Sequence, residues 1–198
     1  MSTQSNRILD YGAIKSTGES IHESVLRSLK TFLVGTEFLC GHNIIHHDLR
    51  FLQESLGYGE CSNLLSEKNV IDTLYWSTLL FPQRPYHRLV KDDKLQTEEL
   101  NNPLNDAIKA RDLFYDEVTA FQALPFTLKH IYYALLHGQT EFAAMFRFLP
   151  ITGNQSVEEL SILIREYFAN RFCSNEVAHR CLTPDNENNS SKMVFIVI

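Results

Sequence analysis

The spacing of apolar and polar residues predicts short strands that alternate with helices in the first half of the chain. Strand-forming side chains occur from Arg7 to Ile21 on both sides of Ser16-Thr17-Gly18, a sequence typical of a tight turn, so this segment is predicted to be a β-hairpin. Apolar residues at helical spacing follow Ser24, whose hydroxyl is a suitable helix N-cap. The apolar run Phe38-Leu39-Cys40 lies between two glycines and predicts a buried strand.

The remainder of the pattern is mostly helical. The helical period returns from Ile44 to Leu56, and Asp72-Thr73 is a helix start for an apolar segment that ends before Pro82. Pro103 suits the first turn of a long amphipathic helix. Beyond Pro125, two helical segments are predicted, Phe126 to Leu149 and Val157 to Phe172. Strands that alternate with helices favour an α/β layer fold.

Charge and length narrow the classes of function. The chain has 198 residues, enough for one domain with appendages, and its 18 basic and 24 acidic residues give a net charge of −6. This balance excludes a protein that holds nucleic acid with a wide basic face, so any such binding needs a local cluster or metal ions. The sequence has neither an apolar run of about 20 residues nor an apolar leader, so we expect a cytoplasmic protein without a membrane partner.

Polar residues cluster around the second predicted strand and the helix after it. His42 and Asn43 directly follow the strand, and Asp48 lies within the first turns of the helix. The carboxyl ends of strands are where open α/β sheets bind ligands, so these residues are candidates for a site. The alternative is structural: Asn43 caps the helix and Asp48 is a solvated surface residue.

Two further segments carry candidate chemistry. Asp106 lies near the start of the long helix, a position that the helix dipole favours even without a function. A basic and aromatic patch precedes that helix, and it is either a phosphate-contacting surface or an ordinary solvated one. Its candidate nucleic-acid-binding residues are Arg84, Tyr86, Arg88 and Lys91.

Three motifs in this order resemble those of the DnaQ-like 3′–5′ exonucleases, which have the ribonuclease H-like fold. They are Gly41-His42-Asn43-Ile44 with Asp48 four residues further on, Asp72-Thr73-Leu74, and Asn105-Asp106-Ala107. The resemblance covers about residues 7–122. The stretch from Pro85 to Asp106 is also similar to exonuclease-type domains that precede a RecQ-type helicase in some bacteria.

The resemblance implies an α/β fold with a ribonuclease H-like mixed sheet and flanking helices over residues 7–122. A helical extension over 126–172 and an irregular or disordered tail over 173–198 would follow. In the family, Asp48 and Asp106 would be catalytic carboxylates that hold two Mg²⁺ or Mn²⁺ ions for phosphodiester hydrolysis. The implied partners are single-stranded nucleic acid, DNA rather than RNA, and a helicase.

Two departures from the family pattern change this expectation. The first strand of the family, which carries Asp-x-Glu, is missing before Arg7. The family histidine that acts as general base is replaced by Asn101, which can orient a water molecule but cannot deprotonate it; His87, His46 and His47 are alternative bases. We therefore expect an exonuclease-family domain that is inactive or weakly active as this chain. A non-catalytic nucleic-acid-binding or docking module, and a protein-interaction domain that uses the helical extension, are the alternatives.

Overall fold

The computed structural model describes residues 2–4, 7–66, 68–89, 102–151 and 156–169. They form five strands and eight helices in the order β1 (Ser2–Gln4), β2 (Arg7–Ile14), β3 (Ser20–Glu23), α1 (Leu26–Phe32), β4 (Phe38–Gly41), α2 (Asp48–Leu56), α3 (Tyr58–Leu65), β5 (Asn69–Asp72), α4 (Thr73–Leu80), α5 (Pro103–Ala123), α6 (Phe126–Leu136), α7 (Thr140–Phe148) and α8 (Val157–Phe168). The α/β class expected from the sequence is confirmed.

The strands form two small sheets. In the first, β2 pairs with β3 as the predicted hairpin and with β1 on its other edge, and both pairings are antiparallel. In the second, β4 and β5 are parallel, with Phe38 opposite Asn69 and Gly41 opposite Asp72. Parallel neighbours need a crossover connection, and here it consists of α2 and α3.

The long helix α5 packs against both sheets, because it contacts β2 and β3 as well as β4. Its first turn comes so close to β2 that a Cβ at Gly12 would collide with the backbone of Leu104. An apolar cluster on the hairpin side joins the first sheet to helices α1, α2 and α3. Its buried members are Ile8, Tyr11, Leu29, Leu33, Leu52 and Cys61. Helix α5 therefore packs against both sheets, and the apolar cluster packs the first sheet against α1, α2 and α3.

An aromatic cluster packs α4, α5 and α7 together. The ring of Trp76 is fully buried and makes edge contacts with Phe121, Phe142 and Phe146, with ring centroids 5.1 to 5.5 Å apart. Rings at such distances and edge-to-face angles add stabilisation beyond the buried area. The indole Nε1 of Trp76 is buried without a hydrogen-bond partner in the described part of the chain.

The chain divides into two compact units. The first comprises the described residues of 1–123 and 138–149, and the second those of 124–137 and 150–198. Helix α7, which lies within the predicted extension 126–172, belongs to the first unit and packs against β5 and α4. In the second unit, α6 packs against α8. The predicted tail, residues 173–198, lies outside the described residues.

Several local predictions are confirmed and others are wrong. Helices begin at Asp72-Thr73, at Pro103 and after Pro125, as predicted. Ser24 is not a cap, because Val25 occupies the N-cap position of α1 without a side-chain hydrogen bond. Helix α3 was not predicted, and the segment predicted as one helix from Phe126 to Leu149 is divided into α6 and α7 around residues 137–139.

The helix predicted from Ile44 begins only at Asp48, because residues 44–47 form turns. Asn43 is therefore not its cap; His47 occupies that position, again without a side-chain bond. Among the helices of the described segments, none combines the length and the apolar character that a bilayer crossing requires.

Candidate nucleic-acid site at the strand ends

The carboxyl ends of β4 and β5 lie side by side, and the Asp72 carboxylate ties the two connections together. Asp72 is fully buried at the end of β5 and accepts hydrogen bonds from three backbone N–H groups. They belong to Asn43 (2.8 Å), Ile45 (3.1 Å) and Leu74 (3.0 Å). The Leu74 bond caps α4, and the other two hold the turn that follows β4. This arrangement makes Asp72 a structural carboxylate whose acceptor positions are used within the fold.

Asn43 has the backbone conformation that this turn demands. Its φ of 58° lies in the left-handed region, which asparagine tolerates better than most residues. Its N–H points at Asp72, so the residue acts here through its main chain. The nucleic-acid contact of the Asn43 side chain stays a prediction.

His42 is partly buried beside Asn43, and its ring bridges the two strand ends. Its Nδ1 lies 3.0 Å from Oγ1 of Thr73, and the backbone of His87 lies close enough to raise the pKa of the ring. Burial lowers the pKa of His42, and the nearby carboxylates of Asp72 and Asp48 oppose this shift only in part. The structure therefore places two other predicted site residues, Asp48 and His87, close to the imidazole of His42.

The segment 81–89 after α4 folds back over the strand ends. It starts with a turn in which the N–H of Arg84 donates to the carbonyl of Phe81 (3.0 Å), and the Arg84 guanidinium lies over the Phe81 ring, 4.0 Å from its centroid. It continues to His87, whose Nδ1 lies 2.9 Å from Oγ of the buried Ser77. We call residues 81–89 the return loop.

The return loop presents an aromatic ring and arginines to solvent. Tyr86 is 74% exposed, and the Arg88 guanidinium lies 5.7 Å from the centroid of its ring. Arg84 is exposed as well. Three of the four residues predicted as a basic and aromatic patch thus share one surface loop; the fourth, Lys91, lies outside the described residues.

The two aspartates predicted as catalytic residues lie at the starts of two helices. Asp48 is the first residue of α2, with Nδ1 of His47 3.6 Å from its Oδ1. Asp106 lies in the first turn of α5 and is partly buried. Their convergence on a shared pair of metal ions stays a prediction, as does the role of Asn101, which lies outside the described residues.

The described donors do not make up the metal centre that the resemblance implies. Within residues 2–4, 7–66, 68–89, 102–151 and 156–169, no group of three or more His, Cys, Asp or Glu residues is arranged to hold a metal ion. Both oxygens of Asp72, the carboxylate at the strand ends, accept hydrogen bonds from backbone N–H groups.

Glu117 is a buried residue that the sequence analysis missed. It is fully buried on α5, and neither carboxylate oxygen has a hydrogen-bond partner in the described part of the chain. Burial, helped by the charge of Asp72 and opposed by Arg84, raises its pKa to about 9. The sequence does hold a signal for it: Glu117 is three residues after Phe114 and four before Phe121, on the same stripe of the helix.

Comparison with family models, with curated proteins and with solved structures gave no match for this chain.

Proposed function

We propose that this chain is an exonuclease-type domain with a ribonuclease H-like fold that binds single-stranded nucleic acid at the strand-end site. As this chain, we expect it to hydrolyse its ligand weakly or not at all. The proposal rests on the ordered motifs in the sequence and on the surface of the return loop.

The arrangement of the two sheets supports the fold. β1 covers only residues Arg7 to Asp10 of β2, so the same edge of β2 is unpaired from Tyr11 onward within the described residues. β4 is paired with β5 on one edge only, and both β2 and β4 pack on α5. A further strand between β2 and β4 would join the two sheets into the single mixed sheet that the resemblance implies.

The exposed Tyr86 with Arg84 and Arg88 beside it is the observation that carries the proposed binding. An aromatic ring stacks on the face of any unpaired base, and arginines contact the adjoining phosphates. Bases in a duplex have no free face, so this surface favours single strands. Because the loop lies over the carboxyl ends of β4 and β5, the strand would reach His42 and Asp48.

The expectation of weak hydrolysis rests on the residues present. Asn101 stands where the family has its general base, and asparagine has no basic form at neutral pH. The Nδ1 of His87, one of the alternative bases, already shares a hydrogen bond with Oγ of Ser77. The described carboxylates do not complete a metal centre.

Binding is tested by fluorescence anisotropy with a labelled oligothymidylate of about fifteen nucleotides, within the site sizes known for single-strand modules. We expect Tyr86→Ala to weaken binding about tenfold or more, since stacking contributes roughly 1–3 kcal/mol per base. Tyr58→Ala is the matched control, because Tyr58 is equally exposed (77%) but lies on α3. Equal affinity of the Tyr86→Ala variant, the control and the unmodified chain would contradict the proposal.

The salt dependence tests the arginines separately. With about three phosphates contacted, the logarithm of affinity should fall against the logarithm of salt concentration with a slope of about −2. The double variant Arg84→Gln, Arg88→Gln should make this slope clearly shallower. An unchanged slope would remove the return loop from the binding surface.

Hydrolysis is tested with the same oligonucleotide, end-labelled, in Mg²⁺ or Mn²⁺, with an RNA of the same sequence alongside. We expect no product or a trace. Robust degradation that Asp106→Ala abolishes would show that this chain has a complete active site, and would overturn the weak-hydrolysis part of the proposal.

A further inference from the structure

Ser77 carries a buried hydroxyl on α4, beneath the return loop. It lies on α4 between Trp76 and Thr78, and almost none of its surface is exposed. A buried hydroxyl needs a hydrogen-bond partner, and the one that the structure provides is Nδ1 of His87 at 2.9 Å. The bond joins α4 to a loop residue ten positions further along the chain.

The residues around His87 alternate between exposed and partly buried positions. Tyr86 and Arg88 are exposed, whereas His87 between them is only partly exposed and its ring contacts Ser77. The Arg88 guanidinium lies over the Tyr86 ring, so these two side chains share the outer side of the loop. Holding the ring of His87 on the inside therefore keeps both of its neighbours on that outer surface.

A second contact holds the main chain of the same residue. The backbone of His87 lies beside the ring of His42, whose pKa it raises, and Nδ1 of His42 lies 3.0 Å from Oγ1 of Thr73. His87 thus contacts α4 through its side chain and the end of β4 through its main chain. The turn at Phe81 and Arg84 fixes the start of the loop independently.

We propose that Ser77 is a positioning residue for the strand-end site: through His87 it holds the return loop in the conformation that presents Tyr86 and Arg88 to a single strand. This inference rests on the proposed function. Without the bond, the loop samples more conformations, and binding has to order it first. Ser77 itself does not touch the ligand.

The matched pair of variants is Ser77→Ala and Thr78→Ala. Thr78 is the neighbouring residue on α4, but it is exposed and its hydroxyl bonds to the Tyr75 carbonyl of its own helix. In Ser77→Ala we expect the backbone ¹⁵N order parameters of Tyr86, His87 and Arg88 to fall, because the loop loses the hydrogen bond that holds it. Affinity for the oligothymidylate should fall about three- to ten-fold, the effect of one lost hydrogen bond, and the ¹⁵N shift of His87 Nδ1 should move. Thr78→Ala should change none of these.

The outcomes separate the two proposals. Unchanged loop order parameters and an unchanged His87 Nδ1 signal in Ser77→Ala would overturn the positioning role, whatever the affinity. Lower order parameters in a protein that never binds the oligonucleotide would uphold the positioning role and overturn the proposed function. If Ser77→Ala does not fold, His87→Leu tests the same bond from the loop side, because a serine hydroxyl can return to a carbonyl of its own helix. Loop order parameters in His87→Leu equal to those of the unmodified chain would then overturn the proposal.

Discussion

Two buried carboxylates in the first unit differ in their hydrogen bonding. Asp72, at the junction of β5 and α4, accepts three backbone N–H bonds. Glu117, in the middle of α5, is equally buried, but both of its oxygens lack a partner in the described part of the chain. Burial of a polar group is tolerated when hydrogen bonds replace water and is costly when they do not. The first carboxylate organises the strand ends, whereas the second lowers stability.

This difference is also visible in what the two groups contact. The bonds of Asp72 reach Asn43 and Ile45, 29 and 27 residues away, and so join two connections of the sheet. Glu117 interacts with Asp72 and Arg84 only through charge. An unpaired acid in a core is retained at a cost in stability, and a raised pKa of this kind is more frequent at functional sites than elsewhere.

The largest effect is expected for Asp72→Ala. It leaves three backbone N–H groups without their acceptor, two of them in the turn that carries His42, and we expect a loss of about 3–5 kcal/mol in the free energy of unfolding. Urea denaturation followed by circular dichroism measures it. Asp112→Ala is the control, because Asp112 is exposed on α5 and its ion-pair partner in the described part of the chain is the neighbouring Arg111. A loss below about 1 kcal/mol for Asp72→Ala would contradict the role given to this carboxylate.

Glu117→Met is expected to raise the free energy of unfolding, because it replaces the buried carboxyl by an apolar side chain of similar size. In the folded chain Glu117 has a pKa of about 9, against 4.5 for an unperturbed glutamate. Between these values the folded state binds more protons than the unfolded state, so the free energy of unfolding falls as the pH rises through this window. At about 1.4 kcal/mol per pH unit, the loss reaches at most about 3 kcal/mol at pH 7. The variant lacks this loss.

The measurement for Glu117→Met is urea denaturation at several pH values from 5 to 9. The gain over the unmodified chain should grow with pH across the whole range. Glu54→Met serves as the control, since Glu54 lies at the surface of α2 and pairs with Arg50. A variant that is less stable than the unmodified chain at pH 8 would mean that Glu117 has a partner that stabilises it.

The smallest effect concerns Asn43, the residue that bonds to Asp72 through its main chain. Asn43→Ala places a residue with a Cβ but without a polar side chain at φ 58°, and should cost about 1 kcal/mol. Asn43→Gly has no such strain and should stay within about 0.5 kcal/mol of the unmodified chain. Thermal unfolding distinguishes the two. If both variants lose binding of single strands equally while only one loses stability, the Asn43 side chain contacts the ligand.

Local chemistry explains which elements could be predicted from the sequence. Ser16-Thr17-Gly18, Asp72-Thr73, Pro103 and Pro125 act on their immediate neighbours, and the hairpin and three helix starts follow from them. The late start of α2 could not be predicted, because Asp72 holds the N–H groups of Asn43 and Ile45 from the far end of β5. Long-range contacts of this kind override a helical pattern.

The same distinction applies to the candidate site. The first motif indicated His42 and Asp48, whereas His87 was an alternative base without a spacing argument; the structure brings these three residues together. The partnership of Ser77 with His87 and the isolation of Glu117 depend on which element packs against which, information that the spacing of residues along one helix does not contain. Glu117 lies on the apolar stripe of α5, so only its burial, and not its lack of partners, had a signal in the sequence.

The burial of Trp76 gives the molecule an internal reporter. It is the only tryptophan among the 198 residues, and it lies against Phe121, Phe142 and Phe146 within the first unit. Its emission therefore follows the melting of that unit alone, while the helical signal in circular dichroism follows both units. Two unfolding curves that coincide would mean that the units melt cooperatively, and two that separate would mean that each has its own transition.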